Sequence, residues 1–323
     1  MLTKNIDFIN FFLLILAFIL AIIFPFELFL FSYAVLGPAH YLTELNWLKK
    51  NNFFTINKNG VRTLLIIASV LSIIVLLNFT FKELNYNIKI NNSIYYIFLL
   101  TSFFYVIFLL NLKEKKYHFI GFITIVAFSF LLVSYFNKAA LLFGLLLTTI
   151  IHVYVFTIFF MIYGTLKKPN LFGYINIIII SIIPIIIYYF PYFETNTSFI
   201  TNKIFNESGF NKLNTIIKKL LYNHSNKKFT ETKAQIFIAF AYTYHYLNWF
   251  SKTTVIGWSK NLTKKSIAII LLFWLLSIVL YFIDYKLGII TLFFLSLWHV
   301  IAEFPLNIIS IKSILYKILN YSK

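Results

Sequence analysis

The sequence predicts an all-α fold, a polytopic transmembrane helix bundle of about ten spans with both termini in the cytoplasm. Three observations carry this. The 323-residue chain is 60% hydrophobic and only 12% charged, where soluble proteins carry roughly 25% charged residues. Apolar runs long enough to cross a bilayer recur along its length. Basic residues gather between alternate runs, as the positive-inside rule requires. An outer-membrane barrel would instead show short segments of alternating polarity.

Taken in order, residues 8–24 form the first run. They have the look of a signal peptide, but no small-residue cleavage site follows and another apolar run begins at once, so a retained span is expected. Pro25 breaks the helix, and 26–48 is the second span. Further spans are expected near 62–80, 93–112, 117–136, 139–163, 173–190, 234–254, 266–284 and 287–309. If Pro25 only kinks one long helix, the count falls to nine. Residues 1–323 read as a single integral membrane domain, with no sequence repeat.

With the N-terminus inside, 17 of the 28 basic residues fall on the cytoplasmic side and four in short outer loops. The other seven lie in a long extracytoplasmic loop at 191–233. This distribution accounts for the net charge of +18 as topology, and no nucleic-acid partner is expected. Within the loop, Leu213, Ile216, Ile217, Leu220 and Leu221 recur at helical spacing, with Lys212, Lys218 and Lys219 off the stripe. An amphipathic helix at 211–223 is expected, lying on the membrane surface or packed over the mouth of the bundle. The lysine, asparagine, isoleucine and phenylalanine bias resembles that of AT-rich bacterial genomes, which places the chain in a bacterial inner (cytoplasmic) membrane. The absence of cysteine excludes disulfides, thiolate metal sites and iron–sulfur clusters.

Six histidines are present. His118, at a span end, and His224, in the long loop, read as solvated. His40, His152, His245 and His299 each interrupt an apolar span. They fall on the second, sixth, eighth and tenth spans, all expected to run from outside to inside. Their offsets from the span starts are 14, 13, 11 and 12 residues, a spread of about 5 Å in depth at ~1.5 Å per residue. Four imidazoles at one level can satisfy one another as interhelical contacts, or they can bind one metal. The metal reading requires them to converge within a few ångströms.

Glu44 follows His40 by four residues, and Glu303 follows His299 by four. Each carboxylate shares its histidine's helix face, one turn toward the cytoplasm. They are expected to complete the ligand set or to orient histidines on neighbouring helices. Around His245, Tyr242 and Asn248 lie at i−3 and i+3, positioned to line a substrate pocket or to hydrogen-bond at the metal. An all-nitrogen ligand set with carboxylates nearby suits Fe(II), and also zinc or copper; haem is a further possibility. A site at mid-membrane calls for a lipophilic small-molecule substrate entering from the lipid bilayer. A water-soluble one would need a polar path, and none is visible in the sequence. Glycine-rich phosphate loops, G-x-S-x-G, H-E-x-x-H and the clustered histidine boxes of membrane desaturases are all absent. No lysine sits deep in a span, as a retinal Schiff base would need.

The stretch GPAHYLTEL, with Gly37, Pro38, His40 and Glu44, resembles the first histidine motif of the Brp/Blh family of bacterial membrane-embedded β-carotene 15,15′-dioxygenases. The segment YTYHYLNW around His245 resembles that family's late histidine helix. The resemblance implies a polytopic helical bundle that holds iron through histidines and cleaves the central double bond of β-carotene into two retinals. Pro38 is one place out of the family's register, and Tyr41 stands where the family has glycine. The late helix has one histidine here where the family has two. The function expected is therefore a histidine-ligated non-haem iron oxygenase acting on a carotenoid or another long apolar molecule. The alternative is a non-catalytic transporter or haem-binding membrane protein in which the histidines are contacts or haem ligands.

Overall fold

The computed structural model describes residues 2–55, 58–83, 86, 90–111, 117–189, 197–221 and 230–321. Among these there is no strand. The helices are α1 (Leu2–Ile23), α2 (Pro25–Phe31), a π-helical turn (Ser32–Leu36), α3 (Gly37–Lys50), α4 (Lys58–Glu83), α5 (Asn92–Asn111), α6 (His118–Tyr135) and α7 (Asn137–Leu146). A second π-helical stretch (Leu147–Phe156) leads into α8 (Thr157–Lys167), followed by α9 (Leu171–Tyr189), α10 (Phe199–Glu207) and α11 (Asn211–Leu221). The chain closes with α12 (Glu231–Ser251), α13 (Thr253–Ile256), α14 (Lys264–Ile283) and α15 (Tyr285–Tyr321).

Among the described residues, eight helical stretches are long and apolar enough to cross a membrane: α1, α4, α5, α6, the continuous run through 137–167, α9, α14 and α15. The expected spans at 26–48 and 234–254 are also helical but fall outside this set. The first is interrupted by its π turn, and α12 is rich in polar and aromatic groups. The last span was expected to end at 309, yet α15 continues to Tyr321. Phe119 and Ile120 on α6, and Phe282 and Ile283 on α14, are more than 60% exposed. Apolar surface on this scale is matched by lipid, not by water.

The chain divides into two compact units, Met1–His40 with Val153–Ile289, and Tyr41–His152 with Ile290–Lys323. In the first, α12 is the central element. Most of its side chains are buried, and it packs on α1, α2, the first π turn, α9 and α11. Pro25 ends α1 as expected: Phe24 leaves helical geometry and Pro25 opens α2 at its first position, where the missing N–H is no loss. Helix α11 appears within the expected 211–223, of which 222 and 223 lie outside the described residues, as does His224. It turns Asn214 and Ile217 into buried positions and packs against α12. The short helix α10 carries no hydrophobic periodicity that announced it.

Proline inside α9 shows how buried backbone is satisfied. Pro184 has no N–H, so the Ile180 carbonyl four residues earlier loses its helix donor. The Tyr154 hydroxyl donates to that carbonyl. A Tyr154→Phe variant is expected to lose about 1–2 kcal/mol of stability, read as a lower thermal midpoint in detergent. Made in a Pro184→Ala background, where the carbonyl regains its helix donor, the loss should shrink by more than half. An equal loss in both backgrounds would refute the pairing.

In the second unit, α5 packs on α4, α6 and α7. Helix α5 also runs alongside α15. Phe103 meets Phe304 edge-on, with centroids 5.5 Å apart. Lys312 Nζ donates to Asn111 Oδ1 at 2.6 Å. The two contacts are the same number of residues apart on both helices, so α5 and α15 run parallel.

Candidate metal centre

His40 sits where the backbone has already been disturbed. Pro38 cannot donate to the Ala34 carbonyl, and the chain answers with a wider turn: Gly37 N–H donates to Ser32 O, five residues back. Ser32 Oγ in turn lies 2.7 Å from Thr243 Oγ1 on α12, which fixes the turn against the helix that carries His245. His152 lies inside the second π-helical stretch. Such turns are rare and concentrate at functional sites, because one extra residue per turn re-aims the side chains around it.

All four histidines are buried, with exposures of 1% for His40, 2% for His152, 6% for His245 and 2% for His299. In the first unit, His245 Nε2 lies 3.1 Å from His40 Nε2. In the second, His152 Nε2 lies 3.0 Å from His299 Nε2. Each unit thus brings two buried ring nitrogens to a spacing at which they can bind a metal ion; the geometry does not by itself choose which.

Two neutral imidazoles 3 Å apart can share a hydrogen bond or two bonds to one cation. Metal–nitrogen bonds of about 2.0–2.1 Å at ~90–110° also separate the nitrogens by roughly 2.9–3.4 Å, so distance alone does not decide. The opposite ring nitrogens do more. Thr157 Oγ1 lies 2.9 Å from the Val153 carbonyl, to which it donates. That oxygen is then free to accept from His245 Nδ1 at 2.8 Å. In the second unit, His152 Nδ1 is 3.1 Å from Glu303 Oε2, close but off the line of an ideal hydrogen bond. A proton on His245 Nδ1, held by Thr157, leaves its Nε2 lone pair facing His40; Glu303 stands near Nδ1 of His152 without a hydrogen bond to it. Histidines that bind metals are typically oriented in this way, by a carboxylate or another acceptor on the far nitrogen.

Aromatic rings enclose the imidazoles. His245, Tyr246 and Trp249 surround His40, the Trp249 ring edge-on at 5.4 Å. Tyr41, next in sequence, stacks on His299 at 4.4 Å and 19°.

Glu303 thus lies beside His152, while on its own helix it follows His299. Glu44 is buried, at 1% exposure, one turn beyond His40 on α3. Tyr242 joins an aromatic cluster with Phe29, Tyr33 and Tyr246. Asn248 is buried, and its Oδ1 has no hydrogen-bond partner among the described residues. Thr157 and Tyr41 were not anticipated. A threonine in an apolar helix ordinarily bonds only its own backbone, and in a chain that is 21% aromatic one more tyrosine carries no signal.

No protein-family model, curated protein or solved structure gives a significant match to this chain.

Proposed function

We propose that this protein is a membrane-embedded, non-haem iron oxygenase acting on a carotenoid or another long apolar molecule, with His40, His152, His245 and His299 as the ligand set. The carrying observation is that four buried imidazoles meet in pairs through their Nε2 atoms, with Thr157 behind His245 and Glu303 close to Nδ1 of His152. Nitrogen ligands with carboxylates close by suit iron, and zinc or copper less specifically. Haem is disfavoured, because two axial imidazoles need roughly 4 Å between nitrogens, twice a ~2 Å metal–nitrogen bond, with a macrocycle between them.

Iron held here would supply dioxygen activation for cleavage of a conjugated double bond. The chain's own part is to hold the rings in one tautomer, to keep Glu44 and Glu303 at hand, and to surround the centre with Tyr41, Tyr246 and Trp249 against bulk water. Tyr242 and Asn248 would line the approach of the substrate. In this reading the chain crosses a bacterial cytoplasmic membrane ten times with both termini inside, and substrate enters sideways from lipid. The resemblance of GPAHYLTEL to the Brp/Blh motif supports the carotenoid version.

Expression in carotenoid-accumulating cells tests it. Loss of colour and formation of an apocarotenal are expected in wild type, and neither in a His245→Ala variant. Persistent colour with no cleavage product, from protein shown to be iron-loaded, would reject carotenoids as substrate.

A further inference from the structure

We propose that one face of α15 forms a narrow hydrated slot, bringing water from the membrane surface near Lys317 to Glu303 beside His152. The inference concerns water access and holds whether or not the histidines bind metal.

The observation lies below Glu303 on α15. Asn307 is 1% exposed, and neither its Oδ1 nor its Nδ2 has a hydrogen-bond partner among the described residues. Ser310 is fully buried, and its Oγ also has none. A buried serine in a helix normally returns its proton to a carbonyl one turn back, as Ser72 and Ser277 do here. Ser310 does not. Buried amides and hydroxyls without partners are costly, more so in a membrane. The usual resolution is ordered water, each molecule taking two to four polar contacts.

Their placement makes these groups one feature. At 100° per residue, His299, Glu303, Asn307 and Ser310 fall within an arc of about 80°, and at ~1.5 Å per residue Glu303 to Ser310 spans about 10 Å. At the lower end, half-buried Ser313 and then Lys317 continue the same face of α15 toward the membrane surface. A file of a few waters would span the interval. The polar path that the sequence did not reveal is thus carried by single polar residues three and four apart on one helix.

The chain contains no cysteine, so a clean test is available. Asn307→Cys, Ser310→Cys and, as control, Ile308→Cys each introduce a single thiol. Ile308 is buried at the same depth on the opposite face of α15. X-ray radiolysis makes hydroxyl radicals from whatever water adjoins a side chain, and mass spectrometry reads thiol oxidation. Full-length protein is used in native membranes, each variant checked by gel filtration and circular dichroism. Oxidation at 307 and 310 is expected to be at least about tenfold faster than at 308. Rates equal to the Ile308→Cys control would overturn the slot. If Asn307→Cys does not fold, the Ser310→Cys comparison decides alone. Neither result depends on bound metal or on turnover, so failure here is distinguishable from failure of the oxygenase reading.

Discussion

A His40→Ala, His245→Ala double variant is expected to purify with less than about one hundredth of the metal affinity of wild type. Replacing a group that merely orients a metal ligand costs 10–100-fold in affinity, and removing two ligands must cost more. The measurement is elemental analysis of detergent-purified protein, with circular dichroism to confirm that the helices persist. Thr157→Val supplies the finer comparison. It keeps every imidazole but removes the oxygen that accepts from His245 Nδ1, so a 10–100-fold loss is expected, with little change in thermal midpoint in the metal-free state. If the histidines serve only as contacts between helices, Thr157→Val would alter stability alone. Wild-type protein free of metal, or a double variant with undiminished metal, would remove the site altogether.

The helical membrane class was legible because apolar run length is a direct physical requirement of the bilayer. The break at Pro25 was legible for the same kind of reason, since a missing N–H cannot be hidden. The four histidines stood out because a polar ring in an apolar span demands a partner, and the pairs His40–His245 and His152–His299 supply one to each. Which group stands behind each ring was not legible. Glu303 was expected as a ligand or as a group orienting a histidine on a neighbouring helix, and it lies 3.1 Å from His152; spacing fixes the face of a helix, but not which histidine is packed on that face. Thr157 lies five residues beyond His152, past a π-helical stretch that composition does not mark. The turn at Ser32–Leu36 was partly implied by Pro38, which leaves a carbonyl to be satisfied, but no rule of sequence says the helix will widen rather than kink. The length of α15 was underestimated because its last turns alternate lysine with isoleucine and leucine, which reads as a span end.

Substituting Gln235 by leucine should produce a large loss of stability. Gln235 is fully buried near the start of α12 and serves two elements at once. Its Nε2 donates to the Pro25 carbonyl at 2.9 Å, where α1 gives way to α2. Its Oε1 accepts from Asn214 Nδ2 at 2.9 Å, which ties α11 to α12. Leucine fills the volume but strands the Asn214 amide and strips one donor from the α1–α2 break, a loss of about 2–4 kcal/mol. Helix α11 is otherwise tied down by buried Ile217 and by the exposed Lys218–Glu231 ion pair at 3.3 Å, so its release is expected to be local before it is global. Trypsin cleavage at Lys212, Lys218 or Lys219 should accelerate about tenfold or more, and the thermal midpoint in detergent should fall by several degrees. Equal trypsin rates in wild type and Gln235→Leu would mean that α11 is held by something other than this amide.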